Sequence, residues 1–287
     1  MKLFKLAGAI PALALVLSAG VASAAPIFDI TDANVTPDVI FGSGNANGGF
    51  SISQNAGIEI GLRGKLRFDE NNNPQNTFNS NGDGTYTFQA GNPPTGFGFD
   101  PNNPTTPVWN FEWSVNTDYD ESTGKNLNDF DYFMSLDVDP GPGATFQGGS
   151  FDPINVLSGD RIPDHAIGGN STVNGGGSVA TNALTTASGS NPGNYGNLLA
   201  NNNVAQNSWS YEFFNTSTGD PTFGFDPNEP GSYVISLAAV DKNDPSVNAF
   251  TSIEINVAPI PLPAAGWLLL SAFGGLGLVA RRRRKVA

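Results

Sequence analysis

The sequence predicts a mainly β protein: a β-sandwich ectodomain set between an N-terminal signal helix and one C-terminal transmembrane helix. Three observations carry this. Several segments alternate apolar and polar residues with period two, the mark of a strand with one buried face. Gly and Pro number 35 and 21 in 287 residues, about a fifth of the chain against an ordinary usage near 12%, so turns are frequent. Twenty Phe and four Trp supply core material that disordered chains lack.

The strands follow in order. Residues 58–68 alternate imperfectly, and Thr85–Gln89 is short and bounded by Asn81-Gly82-Asp83-Gly84. Val108–Asn116 is the clearest: Trp109, Phe111, Trp113 and Val115 share one face, and Asn110, Glu112, Ser114 and Asn116 the other. Phe130–Val138 repeats the pattern, and Trp209, Tyr211 and Phe213 suggest a further strand. Asn194–Ala205 can form a short helix within a Gly-, Asn- and Ser-rich region of long loops running from about residue 141 to 207. Pro230-Gly231-Ser232 forms a turn, Tyr233–Val240 runs apolar, Asp241–Asp244 makes a polar loop, and Phe250–Val257 returns. This Pro-Gly-x-Tyr strand, Asp-rich hairpin and closing strand resemble the last hairpin of bacterial Ig-like surface domains. The expected class is therefore an Ig-like or jelly-roll-like sandwich. One hexapeptide recurs, Phe97-Gly98-Phe99-Asp100-Pro101-Asn102 and Phe223-Gly224-Phe225-Asp226-Pro227-Asn228. Its Asp-Pro-Asn reads as a turn.

Both ends carry addresses. Lys2 and Lys5, an apolar run from Ala7 to Ala19, and Ala22-Ser23-Ala24 compose a secretory signal peptide over residues 1–24, with Ala22 and Ala24 framing the cleavage site. The β-rich domain then spans 25–257 and a terminal segment 258–287. In that segment residues 262–280 are almost wholly apolar, close to the roughly 20 residues a helix needs to cross hydrocarbon. Arg281, Arg282, Arg283, Arg284 and Lys285 follow as a block that resists translocation. The expected course is export, a transient stay in the inner membrane on this single span, then the cell surface or medium.

Charge narrows the partners. All 26 acidic residues lie between the two ends, where only six of the 13 basic ones do. So acidic a domain has no basic surface for nucleic acid. The absence of Cys removes disulfides and thiolate metal sites.

Ile260, Pro261, Leu262, Pro263 and Ala264 lead directly into the apolar run and its Arg block. This tripartite end resembles the VPLPA-type PEP-CTERM sorting signals of Gram-negative bacteria, with Ile260 in place of the first Val. The resemblance implies an exosortase-type processing enzyme as a partner, and it implies nothing about activity. The stretches Ile58–Phe68 and Trp109–Asn116, with Asp152–Asn155 and Gln206–Trp209, are similar to uncharacterised secreted proteins bearing such tails.

Catalytic residues are not evident. His165 is the single histidine, and no nucleophile-elbow signature accompanies it, as a Ser-His-Asp machine would require. Acidic β-proteins offer carboxylate pairs for hydrolysis, but only geometry could show one. No cofactor is implied, with calcium the one candidate. Asp118 and Asp120 lie in an oxygen-rich loop ending at Gly124, and Asp137 and Asp139 follow nearby, which suits a hard cation; the competing reading is turn chemistry. Trp109, Trp113, Trp209, Tyr119 and Tyr195 could stack on sugars, but Trp109 and Trp113 fall on the inward face. Asn34, Asn170 and Asn215 sit in Asn-x-Ser/Thr triplets, read as chance. The expectation is a structural or adhesive component of the cell surface or biofilm matrix, not an enzyme. The alternative is a module that binds or hydrolyses extracellular polysaccharide.

Overall fold

The computed structural model describes residues 27–68, 74–93, 106–141, 143–146, 150–154, 165–180, 192–215 and 224–260. In chain order its strands are β1 (Ile27–Ala33), β2 (Phe50–Asn55), β3 (Ile58–Phe68), β4 (Pro74–Thr77), β5 (Thr85–Gln89), β6 (Trp109–Asn116), β7 (Phe130–Leu136), β8 (His165–Gly168), β9 (Ser178–Ala180), β10 (Val204–Trp209), β11 (Gly231–Asp241) and β12 (Asn248–Ala258). Among the described residues two short α-helices, α1 (Pro192–Asn201) and α2 (Glu212–Asn215), and a 3-10 turn at Leu127–Asp129 accompany them.

One eight-stranded sheet runs β1-β2-β3-β6-β10-β8-β9, with β4 also paired to β3; the second runs β5-β12-β11-β7. Both contribute to one core. Ile58, Ile60 and Leu62 of β3 and Trp109, Phe111 and Trp113 of β6 pack with Tyr86 and Phe88 of β5 and with Ile235, Leu237, Ile253 and Ile255 of β11 and β12. Alternation on β12 is complete, with every second residue from Ala249 to Val257 buried. Aromatic rings meet edge-on in the centre: Trp113 and Trp209 at 4.9 Å, Trp109 and Tyr211 at 5.0 Å, Tyr211 and Phe225 at 4.7 Å, the arrangement that aromatic quadrupoles favour. Gly64 of β3 sits tightly against the second sheet. A Cβ there would meet Ile255 Cδ1 and Phe88 Cε2, each at 2.9 Å.

The expected fold class needs correction. The Ig-like and jelly-roll classes are built from antiparallel sheets. Here the second sheet is mixed, because β5 runs parallel to β12 while β11 is antiparallel to both β12 and β7. The architecture is a mixed two-sheet β fold with, among the described residues, two short α-helices. The transmembrane part is corrected as well. Among the described residues no helix is long and apolar enough to cross a membrane, so the transient inner-membrane location is not carried forward. The segments behind that expectation, residues 262–280 and the block Arg281–Lys285, lie outside the described residues, as does the signal segment with Ala22 and Ala24.

Local differences have local causes. The strand expected through Trp209, Tyr211 and Phe213 stops at Trp209, and α2 begins at Glu212. The Ser210 hydroxyl accepts from Glu212 N at 3.3 Å and the Ser210 carbonyl from Phe213 N at 3.1 Å, which turns the chain into a helical turn. The second copy of the repeat does form a turn: Asp226 Oδ1 accepts from Asn228 N at 2.9 Å. The first copy lies outside the described residues.

Candidate functional site

The period-two pattern of β6 left Asn110, Glu112, Ser114 and Asn116 on the face opposite the core, and the structure buries that face too. All eight residues of β6 are buried. Residues 34–49, between β1 and β2, lie across this face as a strap. Val35, Val39, Ile40 and Phe41 pack there on Phe50, Ile52, Ala166 and Val204, forming a second apolar cluster. Gly61 permits the approach, since a Cβ on it would meet Val35 Cγ1 at 3.0 Å and Ile52 Cγ2 at 3.1 Å.

Polar side chains on the covered face hold the strap by its backbone. Gln206 Oε1 accepts from Ile40 N at 2.8 Å, while its Nε2 donates to Asp38 O at 2.9 Å and to Ser114 Oγ at 3.1 Å. Asn116 Nδ2 donates to Thr36 O at 3.0 Å and to Asn170 Oδ1 at 2.9 Å, and Asn203 donates to both amides. Glu59 Oε1 accepts from Thr36 N at 2.6 Å and Oε2 from Gln54 Nε2 at 2.6 Å. Burial pushes the Glu59 carboxyl above its usual range, and these hydrogen bonds oppose the shift. Asn47 binds both Val35 N and Val35 O, at 2.9 and 2.8 Å.

At the centre of this face is a row of charges. Arg63 and Glu112, directly opposite in register, are both fully buried. Arg63 Nε donates to Glu112 Oε2 at 2.5 Å, and Lys65 Nζ lies 3.3 Å from Oε1. Arg63 Nη1 donates to Ala46 O at 3.0 Å and to Gly48 O, Nη2 lies beside Glu112 Oε2, and the guanidinium lies between the rings of Phe78 and Phe50 at 3.9 and 4.1 Å. Lys65 Nζ also donates to Asn45 Oδ1 at 2.5 Å. The row continues to Arg67, whose Nη1 donates to the Asn110 amide oxygen at 2.7 Å when that amide is turned toward it. Beyond it is the buried Glu212, which accepts from Thr106 Oγ1. Burial pulls all three cations below their ordinary values: Glu112 opposes this at Arg63 and Lys65, and Glu212 and Glu112 at Arg67. Glu112 and Glu212 offset two of the three positive charges, and Arg63 and Lys65 clamp the strap. The row's carboxylates, Glu112 and Glu212, are at most 2% exposed.

The residues singled out from sequence are dispersed. Asp118 Oδ1 accepts from Thr123 N at 2.7 Å and Oδ2 from Gly124 N at 3.1 Å. Asp120 Oδ1 accepts from Ser122 N and Oγ. Asp137 is buried and accepts from Thr145, Asp139 and Val234 N, and Asp139 Oδ1 accepts from Gly141 N at 2.9 Å. These carboxylates engage the turns they sit in, and among the described residues no group of three His, Cys, Asp or Glu is placed to hold a metal ion. His165 is buried beside Trp113, its Nε2 2.9 Å from Tyr195 Oη, which in turn reaches Ile154 O. Trp109, Trp113 and Trp209 are at most 1% exposed, which removes them as sugar platforms. The Asn170 amide is occupied within the fold by Asn116, Asn203 and Asp118 O. Ile260, the first residue of the sorting motif, is 62% exposed; Pro261, Leu262, Pro263 and Ala264 lie outside the described residues. No family model, curated protein or solved structure matches the chain.

Proposed function

We propose that this is an exported protein of structural or adhesive type, with no catalytic role of its own. The observation that supports it best is the use made of the polar side chains. Glu59, Arg63, Lys65, Asn116 and Gln206 are buried and each is spent on holding the strap. The candidate carboxylates of the loops are spent on backbone N–H groups. An enzyme needs the reverse, polar groups converging on an open cleft. The strongly acidic domain, free of Cys, fits a soluble outer layer that relies on packing.

In this reading Ile260–Ala264 is a recognition motif for an exosortase-type processing enzyme. Intact-mass measurement on protein recovered from the native host tests that part. A chain starting near Ala25 and ending near Pro263 is expected, and one retaining Arg281–Lys285 would count against it. The role itself is tested by deleting the gene and weighing the extracellular matrix and the cells it retains. Reduced retention, restored by the wild-type gene, is expected. Unchanged retention, together with depolymerisation of a polysaccharide by the purified protein, would establish the hydrolase instead.

A further inference from the structure

The two sheets treat their outer faces differently. That of the eight-stranded sheet is covered by the strap over β2, β3, β6 and β10. On the four-stranded sheet, two register rows stand side by side on the outer face. Phe133 of β7, Ala238 of β11 and Phe250 of β12 are direct neighbours across the three strands, and Ser135, Ser236 and Ser252 form the next row. Phe133 is 39% exposed and Phe250 is half-buried, while Ala238 between them is nearly covered. Two strand spacings set the Phe backbones about 10 Å apart. The result is a platform with two aromatic rings flanking a methyl group, and beside them the partly exposed Ser135 and Ser252 on either side of the buried Ser236.

We infer that this platform binds an uncharged polysaccharide chain, an inference that rests on the adhesive reading above and names its partner. Pyranose rings present flat C–H faces that pack on aromatic rings, and their hydroxyls pair with serine hydroxyls as donors and acceptors. The two rows carry no charge. Charges stand only at the margins and are already engaged, Asp131 with Lys242 at 3.7 Å and Glu254 with Ser232 at 2.5 Å. An anionic glycan is disfavoured, because Arg63 and Lys65 are buried and Lys125 is held by Asp241, leaving an acidic domain to repel it. A neutral chain meets neither penalty.

The test is affinity electrophoresis of the secreted full-length protein through gels containing hydroxyethyl cellulose, a mixed-linkage β-glucan or alginate. Retardation by at least one neutral polymer and none by alginate is expected. Phe133→Ser and Phe250→Ser should each weaken binding by about tenfold and together abolish it, with the melting temperature of each variant within a few degrees of wild type. Lack of retardation by either neutral polymer overturns the inference, and so does a double variant retarded like wild type. Equal retardation by alginate would also overturn it. Concentration-dependent dimerisation lost in the double variant would place a second copy on the platform and overturn it too. If the wild type fails to bind while the deletion strain still loses matrix retention, the structural role stands and only this partner is wrong.

Discussion

Replacing Glu112 by Gln removes the one carboxylate that faces both Arg63 and Lys65 while keeping its shape. At the 3.3 Å separation of Lys65 Nζ and Glu112 Oε1, an effective dielectric near 20 gives a gross attraction of about 5 kcal/mol. Desolvation has already consumed part of that gain, so the relevant figure is the cost of orphaning a buried charge, about 3–5 kcal/mol. Arg63 keeps Ala46 O, Gly48 O and two aromatic rings, which places the expected loss near the lower end, about 3 kcal/mol. Against a typical stability of about 5–15 kcal/mol that is a large fraction. Urea unfolding followed by tryptophan fluorescence reads it directly. The double variant Arg63→Met, Glu112→Leu should be less destabilised than Glu112→Leu alone, because it removes the Arg63–Glu112 pair together and leaves only Lys65 without its carboxylate. A loss under about 1 kcal/mol for Glu112→Gln would mean that the pair is solvated and the strap does not seal it.

Further outcomes follow from other parts of the fold. Gln206→Leu leaves Ile40 N and Asp38 O without their partner and should cost about 2–3 kcal/mol, with new protease cleavage between residues 34 and 49. Gly64→Ala should cost about 1–3 kcal/mol by overpacking, since the added methyl meets Ile255, Phe88 and Tyr86 within 3.0 Å; a thermal melt measures it. Asp241 is pushed up by burial, but its Lys125 partner and the N–H groups of Asn243 and Asp244 outweigh this and hold it below its usual 3.8. A depressed carboxyl contributes stability that is present above its unfolded pKa and lost as pH falls through the folded one. Unfolding free energy should therefore drop on acidification below about pH 4, and Asp241→Asn should flatten that part of the profile.

Much of the core was readable because strand periodicity and burial coincide. Trp109, Phe111, Trp113 and Val115 point inward as their spacing requires, and the hairpin of β11 and β12 sits where its turn residues place it. The covered outer face was not readable, because Asn110, Glu112, Ser114 and Asn116 look like solvent-facing residues on any pattern of period two. The one available signal was Val39-Ile40-Phe41, an apolar triplet flanked by Asp38 and Gly42 in a region without strand alternation. The mixed second sheet was equally hidden. Nothing in Thr85–Gln89 shows that it pairs with residues 254–258 and runs parallel to them, since long-range pairing is set by the packed whole. The platform of Phe133 and Phe250 escaped notice because each occupies the polar phase of its own strand. Only the register through Ala238 joins them.

Native-state hydrogen exchange on the full chain tests most directly the claim that the buried charged face is a fastening and not a site. The amides of Val35 and Ile40, bound by Asn47 and Gln206, should exchange only through global unfolding, with the same free energy as the amides of β3 and β6. Exchange of those strap amides at a free energy several kcal/mol lower, while β3 and β6 stay protected, would mean that the strap opens on its own. The row from Arg63 to Glu212 would then be an accessible site, contradicting the account.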